Sequence, residues 1–495
     1  MEPENLKFGG GASQTVLNPL VLAVVLIVGI LICFRGRRQV IALFLGAGIL
    51  IPLDQVLVLG PIHFPMLRVL LLFGMFRMVW DKIGSKSEIF SGGMTRLDKV
   101  VIFFSLFTAV NSMLLWRDSG MLVRQAGDLY TVFGIYFLMR YLIRDDGDAD
   151  EAVRALAYIA LGVAAVMTYE QITGHNPYAL LGGAKASYYG AGLTRQDRER
   201  AVAGFGHPLL AGTFGAILVP LFIGLWLKDK KNLKIAMVGL AGSTVIVWAA
   251  ASSTPMLAYA AGLLALCMWP LRNFMRPIRW GIVVTLVSLH MVMKAPVWQL
   301  IARVDLIGGS SSDHRYQLVN QCILHFKDWW LFGVKDTGAW GWGMWDTANQ
   351  YVSVADSTGL IPLILFVATI VYGFKYAGKG RRAWAGNKNM ELYNWSLGAA
   401  MFANVVAFVG ISYWDQTQVV WYSFLAIITA AYLAVPVPAE SVALVPVQEA
   451  PARLATPVMS PAYKSDASKS LNTSKPVQSY GRLVTGRWPA KPTTK

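Results

Sequence analysis

The chain has 495 residues, of which 55% are hydrophobic and only 15% are charged. A soluble protein of this length carries about a quarter charged residues, so the composition excludes an ordinary soluble globular protein. The formal net charge of +16 would suit a nucleic-acid-binding protein. The lysines and arginines lie instead in short clusters between apolar runs, the pattern of cytoplasmic loops in membrane proteins. We therefore expect membrane lipids, and no nucleic acid, as partners.

Apolar runs recur along most of the sequence. A bilayer core about 30 Å thick requires roughly 20 mostly apolar residues for each spanning helix. The runs are continuously apolar and do not alternate, which favours helices over barrel strands. The sequence therefore predicts an all-α polytopic membrane helix bundle of about thirteen transmembrane helices. The predicted spans cover residues 16–34, 40–60, 65–80, 100–116, 123–143, 154–173, 208–227, 235–252, 255–270, 280–296, 357–374, 394–411 and 417–435.

The basic clusters fall in alternate loops, which predicts the orientation. Arg37 and Arg38 follow the first span, and Lys230 and Lys231 follow the seventh. By the positive-inside rule these loops are cytoplasmic, so the N-terminus is expected outside and the C-terminus inside. Two long loops, 174–207 and 297–356, then lie on the extracytoplasmic side. Long loops are usually functional or disordered, and the composition of these two argues against disorder.

The sequence divides into four regions. Residues 1–173 carry the first six predicted spans, and residues 174–376 hold both long loops and form the expected functional core. Residues 377–435 carry the last spans. Residues 436–495 are rich in Pro, Ser, Thr, Ala and Lys without periodicity, which predicts a disordered basic cytoplasmic tail.

Ionisable residues inside the predicted spans are costly to bury and are usually paired or functional. In this sequence six such residues each fall in the outer half of a predicted span. They could form structural ion pairs, or they could line a polar cavity that opens outwards and holds an anionic head group. Arg124 and Asp128 are four residues apart on one helix, so we expect them to pair with each other. The residues concerned are Asp54, Arg68, Arg124, Asp128, Glu170 and Lys294.

The first long loop ends in a motif that could bind an anion. It runs from Arg200 through Gly204-Phe205-Gly206 to His207-Pro208, where a helix is predicted to begin. The free N–H groups and dipole of a helix N-terminus favour negative charge, and the planar guanidinium of arginine grips phosphate oxygens in pairs. The alternative is that the arginines of this loop are simply solvated.

The second long loop is rich in aromatic residues and carries two polar segments. One segment contains Asp313, His314 and Arg315, and the other runs from Trp345-Asp346 to Asn349-Gln350-Tyr351. The aromatic side chains suit either the membrane–water interface or a surface that stacks against sugar rings. The six tryptophans are Trp298, Trp329, Trp330, Trp340, Trp342 and Trp345.

The order and spacing of these segments over residues 195–370 resemble the O-antigen ligase and O-antigen polymerase superfamily of bacterial membrane glycosyltransferases. The resemblance implies a multi-pass protein of the bacterial inner membrane with its active face extracytoplasmic. It implies an undecaprenyl-diphosphate-linked glycan as donor, a glycan or lipid-linked acceptor, inversion at the anomeric carbon, and no metal or other cofactor. A flippase and export machinery are possible further partners.

Carried over by position, Arg200 and Arg315 are the expected diphosphate-binding residues. His207, Asn349 and Tyr351 are expected in the substrate loop or cavity, together with Arg68, Arg124 and Asp128. The sequence departs from the family pattern at Ala203 and Lys335, where glycine is common. It also departs at Ala348, where the ligases have a histidine.

The alanine at 348 removes the expected proton acceptor, so either a neighbouring residue serves or the mechanism needs no strong base. Asp346 is the first candidate by position, and His314 and Asp313 are its rivals as catalytic residues. The missing histidine favours an exopolysaccharide or O-antigen-type polymerase over a ligase. The alternatives are a multi-pass transporter of a polar solute and a catalytically inactive scaffold of a polysaccharide export system.

Overall fold

The computed structural model describes residues 15–52, 55–60, 62–84, 88–182, 194–195, 198–303, 311–414 and 416–434. The predicted tail from 436 to 495 and the predicted intramembrane residue Asp54 lie outside this set. Within it the chain is mostly helical, which confirms the predicted helical character.

The first half of the chain forms six long helices and a small hairpin. The hairpin pairs strand β1 (Val56–Leu59) with strand β2 (Ile62–Pro65) in antiparallel register. The helices are α1 (Pro19–Phe34), α2 (Arg37–Leu50), α3 (Met66–Gly84), α4 (Arg96–Trp116), α5 (Ser119–Leu142) and α6 (Asp146–Thr173).

The second half adds ten helices and a second hairpin, in which β3 (Thr194–Arg195) pairs with β4 (Arg198–Glu199). Short 3-10 turns lie at Pro177–Leu181, Lys230–Asn232, Trp269–Leu271, Val297–Arg303 and Gly338–Trp340. The helices are α7 (Pro208–Lys228), α8 (Leu233–Ala249), α9 (Ser253–Cys267), α10 (Met275–Val292), α11 (Ser311–Leu324), α12 (Phe326–Trp329), α13 (Gln350–Thr358), α14 (Leu360–Ala383), α15 (Lys388–Ala407) and α16 (Gln416–Leu433).

Each of the thirteen predicted spans overlaps one of these helices, although several boundaries differ, and two of the differences affect the interpretation. The predicted span 40–60 ends at Leu50, because Pro52 disfavours helical backbone at the residue before it. The hairpin of β1 and β2 follows. The helix in the span predicted to reach residue 296 ends at Val292, so Lys294 is an exposed residue that follows α10.

The bundle has the apolar helices of a membrane protein. Among the described residues, five helical segments are long and apolar enough to cross a membrane: Arg96–Trp116, Asp146–Thr173, Pro208–Lys228, Lys230–Ala249 and Leu360–Ala383. A sixth would be α10 together with the turn Val297–Arg303, which meet at a bend of 94°. The helices α1 and α9 are apolar but shorter.

Helix α7 lies at the centre of the bundle and packs against α6, α8, α9 and α15. Small residues allow the close approach. A side chain at Gly212 would overlap Ala250 at the end of α8 and Pro255 in the first turn of α9. Helix α16 is buried along most of its length and packs against α2, α5, α6 and α14.

The described part of the second long loop is folded, as its composition predicted. Helices α11 and α13 enclose a small apolar cluster that contains Leu318, Trp329 and Trp340. The six tryptophans therefore differ in exposure, with Trp298 partly buried and Trp330 exposed. Trp329 and Trp340 are buried, whereas Trp342 is 99% exposed and Trp345 is also exposed. Only the exposed group can serve as an interfacial or sugar-stacking surface.

Candidate functional site

The segment from Arg200 to His207 is fixed to the bundle by hydrogen bonds to its backbone. The carboxylate of Glu170, near the end of α6, accepts the N–H groups of Val202 and Ala203, both at 2.9 Å. The amide of Asn176 donates to the Ala203 carbonyl at 2.8 Å. Glu170 therefore has a definite structural role, because it holds this backbone segment at the C-terminal end of α6.

Ala203 adopts a backbone conformation that L residues rarely take. Its φ is +50°, in the left-handed region where glycine is favoured. The amide of Gln416, at the start of α16, donates to the carbonyl of the next residue, Gly204, at 2.7 Å. The turn thus has a physical reason to prefer glycine at position 203, the residue type that the resemblance placed there.

The clamped segment directs Arg200 to the start of α9. Its Nη2 donates to the Ser252 hydroxyl at 2.6 Å, and its Nε donates to the Ala250 carbonyl at 3.5 Å. The Ser252 hydroxyl in turn donates to the same Ala250 carbonyl at 2.8 Å. Ser252 is the N-cap residue of α9, yet its side chain makes no capping bond to the helix. Its hydroxyl is instead engaged by the arginine.

Arg315 reaches the same helix end from α11. Its side chain is buried, with 6% exposed, and its Nε lies 3.0 Å from the position of a Cβ added to Gly410. The same added atom would overlap the hydroxyl of Thr254, which itself bonds to the Gly410 carbonyl at 3.4 Å. Arg200 and Arg315 are 115 positions apart in sequence, and both lie at the first turn of α9. Sequence reasoning missed Ser252 and Thr254, although Ser252-Ser253-Thr254-Pro255 reads as a helix start.

His207 has a structural role beside this cluster. It is the N-cap of α7, and its Nδ1 accepts the N–H of Leu209 at 3.1 Å. Burial and the nearby charge of Arg200 lower the pKa of His207 to about 4. The imidazole is therefore neutral at physiological pH, with one ring nitrogen already occupied.

Asn349 and Tyr351 also act within the fold. Asn349 is the N-cap of α13, where its Oδ1 accepts the N–H groups of Tyr351 and Val352. Its Nδ2 donates to the Val409 carbonyl at 3.0 Å. The Tyr351 hydroxyl donates to the Val405 carbonyl at 3.2 Å. Both side chains attach α13 to the end of α15.

The three candidate proton acceptors have different environments. Asp313 and Asp346 are exposed, and His314 is half-buried. The Nε2 of His314 lies 3.0 Å from the backbone oxygen of Asp346. Because a carbonyl oxygen only accepts, Nε2 carries a proton, and in the neutral imidazole Nδ1 keeps a lone pair. The geometry therefore makes His314 the better-oriented base of the three, with the Asp346 backbone as its orienting group.

The intramembrane charges pair differently from the sequence prediction. Asp128 of α5 forms an ion pair with Arg68 of α3 at 3.4 Å, and Arg68 also donates to the Thr131 hydroxyl at 3.1 Å. Arg124 makes no ion-pair contact with Asp128 within 4 Å, although its charge also acts on that carboxylate. Arg68 can approach Asp128 because Gly127 of α5 has no side chain and leaves room for the guanidinium of Arg68.

A cavity of about 730 Å³ lies between α4, α5, α13, α14 and α16. Its charged lining residues are Arg124, Asp128, Lys335 and Asp356, and its aromatic lining includes Trp116, Trp345, Phe366, Phe408, Tyr413, Trp414, Trp421 and Tyr422. Arg124 and Asp128 thus lie in a polar cavity, as one of the sequence interpretations held. The other predicted site residues do not line it.

Asp356 is the residue of this cavity that sequence reasoning missed. Its side chain is buried, with 5% exposed, and its Oδ2 has no hydrogen-bond partner among the described residues. Burial raises the pKa of this carboxyl to about 8, against a smaller opposing effect of a backbone hydrogen bond from Ser357. The only sequence signal was a single acidic residue just before a predicted span.

The described residues contain no group of three or more His, Cys, Asp or Glu side chains that could hold a metal ion. No protein-family model and no curated protein sequence matches this chain.

Proposed function

We propose that this protein is a membrane glycosyltransferase that joins lipid-diphosphate-linked oligosaccharides on the outer face of the bacterial inner membrane. The proposed reaction is polymerisation of an exopolysaccharide or O-antigen-type repeat, in preference to ligation. The donor is a glycan linked to undecaprenyl diphosphate, and the acceptor is a second glycan or lipid-linked chain. A flippase and export machinery are the expected partners in the membrane.

The observation that carries this proposal is the convergence of Arg200 and Arg315 at the first turn of α9. Two guanidinium groups at a helix N-terminus suit a diphosphate, because fixed cations, N–H groups and the helix dipole all favour negative charge. The hydroxyls of Ser252 and Thr254 lie at the same place and donate to the carbonyls of Ala250 and Gly410.

In the proposed reaction an acceptor hydroxyl attacks the anomeric carbon as the bond to the diphosphate breaks. The bonding electrons leave with the diphosphate, and Arg200 and Arg315 stabilise the charge that develops on it. The proton of the attacking hydroxyl passes to Nδ1 of His314, whose Nε2 proton is held by the Asp346 carbonyl. This assignment replaces the Asp346 carboxylate, which the position of the residue had favoured.

The proposal includes a topology of thirteen spans with the N-terminus outside and the C-terminus in the cytoplasm. The alternation of basic clusters supports this orientation. Reporter fusions at Gly341 and at Ser470 test it, because the first should report the extracytoplasmic side and the second the cytoplasm. Reports from the same side for both would remove the basis for an extracytoplasmic site.

The test of function is in vitro transfer with purified protein and a lipid-diphosphate glycan. Wild-type protein should form longer lipid-linked chains, and Arg200→Ala and Arg315→Ala should form none. The second candidate function is transport of a polar solute, favoured by the buried Asp356 in an internal cavity. Solute uptake into proteoliposomes without any chain extension would support transport instead. Inactivity in both assays would favour a catalytically inactive scaffold of a polysaccharide export system.

A further inference from the structure

Asp356 is a buried carboxyl group in which one oxygen has no hydrogen-bond partner among the described residues. Buried polar oxygens in folded proteins nearly always have hydrogen-bond partners, because an unpaired one loses its interactions with water without replacement. The Oδ2 of Asp356 has none among the described residues, although the residue is 95% buried. The backbone carbonyl of the same residue is satisfied, since it accepts the N–H of Val334 at 2.6 Å. Only Oδ2 of the side chain is left unpartnered among the described residues.

The surroundings of this oxygen resemble a site for a polyhydroxylated ligand. The cavity volume of about 730 Å³ lies in the range of small-molecule sites. Its walls carry the rings of Trp345, Trp414 and Trp421, and aromatic faces stack against the C–H faces of sugars. Lys335 lies over the ring of Trp116 at 5.6 Å and adds a cation at the cavity wall.

One backbone segment borders both this cavity and the arginine cluster. Phe408, Tyr413 and Trp414 line the cavity, whereas Gly410, between them in sequence, packs against Arg315 and Thr254. The N–H of Gln350 bonds to the Phe408 carbonyl at 2.8 Å, which fixes this segment to α13. If the diphosphate of a glycan is bound at α9, the cavity lies on the other side of the segment 408–414 and offers a second site for the same glycan.

We propose that the cavity binds a saccharide unit of the lipid-linked glycan and that Asp356 holds one of its hydroxyl groups. This inference rests on the proposed function, because it identifies the glycan subsite of the same enzyme. The carboxyl is protonated at neutral pH, since burial raises its pKa to about 8. In that state the group can both donate to a sugar oxygen and accept from a hydroxyl.

The first experiment compares two probes on protein in nanodiscs. One probe is the lipid-linked oligosaccharide extracted from a strain that lacks this protein, and the other is undecaprenyl diphosphate without sugar. Asp356→Ala should weaken binding of the first probe at least tenfold and leave binding of the second unchanged. Asp328→Ala is the matched control, because Asp328 is a half-exposed acid of the same loop that bonds to His325 and does not line the cavity.

Equal binding of the oligosaccharide by wild type and Asp356→Ala would overturn the inference, as would an equal loss for both probes. Failure of the proposed function has a different signature, in which wild-type protein binds neither probe or Arg200→Ala still binds undecaprenyl diphosphate.

The second experiment needs no variant. A hydrophobic carbodiimide modifies protonated buried carboxyls, and peptide mass mapping measures the modified fraction of Asp356 in wild-type protein. The extracted oligosaccharide should lower this fraction severalfold, whereas undecaprenyl diphosphate should not. Modification that is unaffected by the oligosaccharide would contradict the assignment.

Discussion

The guanidinium of Arg200 donates to the hydroxyl of Ser252 across 2.6 Å, and this bond joins the end of the first long loop to the start of α9. It removes the Ser252 side chain from its usual capping role. Thr254, two residues further along, bonds to the carbonyl of Gly410 beside Arg315. Arg200 from the loop and Arg315 from α11 therefore form one cluster with the start of α9.

We expect Arg200→Ala and Arg315→Ala each to reduce chain extension by at least about 10²-fold, the usual cost of removing one donor to a developing negative charge. Lysine at either position should rescue poorly, because an ammonium group keeps the charge but not the paired donors. The measurement is glycan transfer in vitro with equal amounts of each purified protein. Arg303→Ala is the control, since Arg303 is an exposed arginine of the second long loop. Full activity of either alanine variant would remove that arginine from the site.

Ala203 gives a prediction about stability. Ala203→Gly should leave the melting temperature unchanged or raise it, because glycine relieves the cost of about 1–2 kcal/mol that an L residue meets at this φ. Ala203→Val should lower it strongly, since a branched side chain meets both the strained φ and a fully buried site. Thermal unfolding in detergent measures both variants. A stabilised valine variant would show that the turn is not held as described.

The ion pair of Arg68 and Asp128 is tested by a double-mutant cycle. Replacing both residues by alanine should cost less than the sum of the single losses, with a coupling energy of about 0.5–1 kcal/mol, because Asp128 is half-exposed to the cavity. The cycle of Arg124 and Asp128 should show a coupling as well, because the charge of Arg124 acts on Asp128 without a direct ion-pair contact. Unfolding free energies supply both values. A larger coupling for Arg124 would restore the pairing that their spacing on α5 predicted.

The orientation of His314 predicts which variant is inactive. His314→Gln should lower turnover by about 10²–10⁴-fold, the usual contribution of a positioned base. Asp346→Asn should have little effect, because the contact to His314 comes from the backbone oxygen of Asp346. Asp313→Asn should likewise remain active. Comparable turnover numbers for wild type and His314→Gln would exclude the histidine as the proton acceptor.

His207 predicts a stability that depends on pH. The pKa of this histidine is lowered in the folded protein to about 4, so between about pH 6.5 and pH 4 the unfolded chain binds the additional proton. The contribution of His207 is therefore fully present above pH 6.5 and is lost as the pH falls towards 4. His207→Asn retains a capping oxygen for α7. In this variant the melting temperature, measured between pH 6.5 and pH 4, should depend less on pH. An identical acid sensitivity in both proteins would assign it to other groups.

The sequence by itself determined the helical class of the fold and the places of thirteen of its helices. The length of an apolar run is a local property, so each of the thirteen predicted spans overlaps a helix. The start of α7 was equally readable, because Pro208 fits the first turn of a helix and His207 can cap it. Where a local signal was overlooked, the prediction failed: Pro52 ends α2 ten residues before the predicted boundary.

The partners of individual side chains were decided only by the tertiary structure. Spacing on α5 suggested that Asp128 pairs with Arg124, yet the packing of α3 against α5 supplies Arg68 at a shorter distance. The resemblance selected Arg200 and Arg315, but their common destination at α9 depends on where α11 lies. Asp356 could not be recognised from the sequence, because a single acidic residue carries no information about its burial. Distances between residues far apart in the chain follow from packing, and the order of residues alone does not contain them.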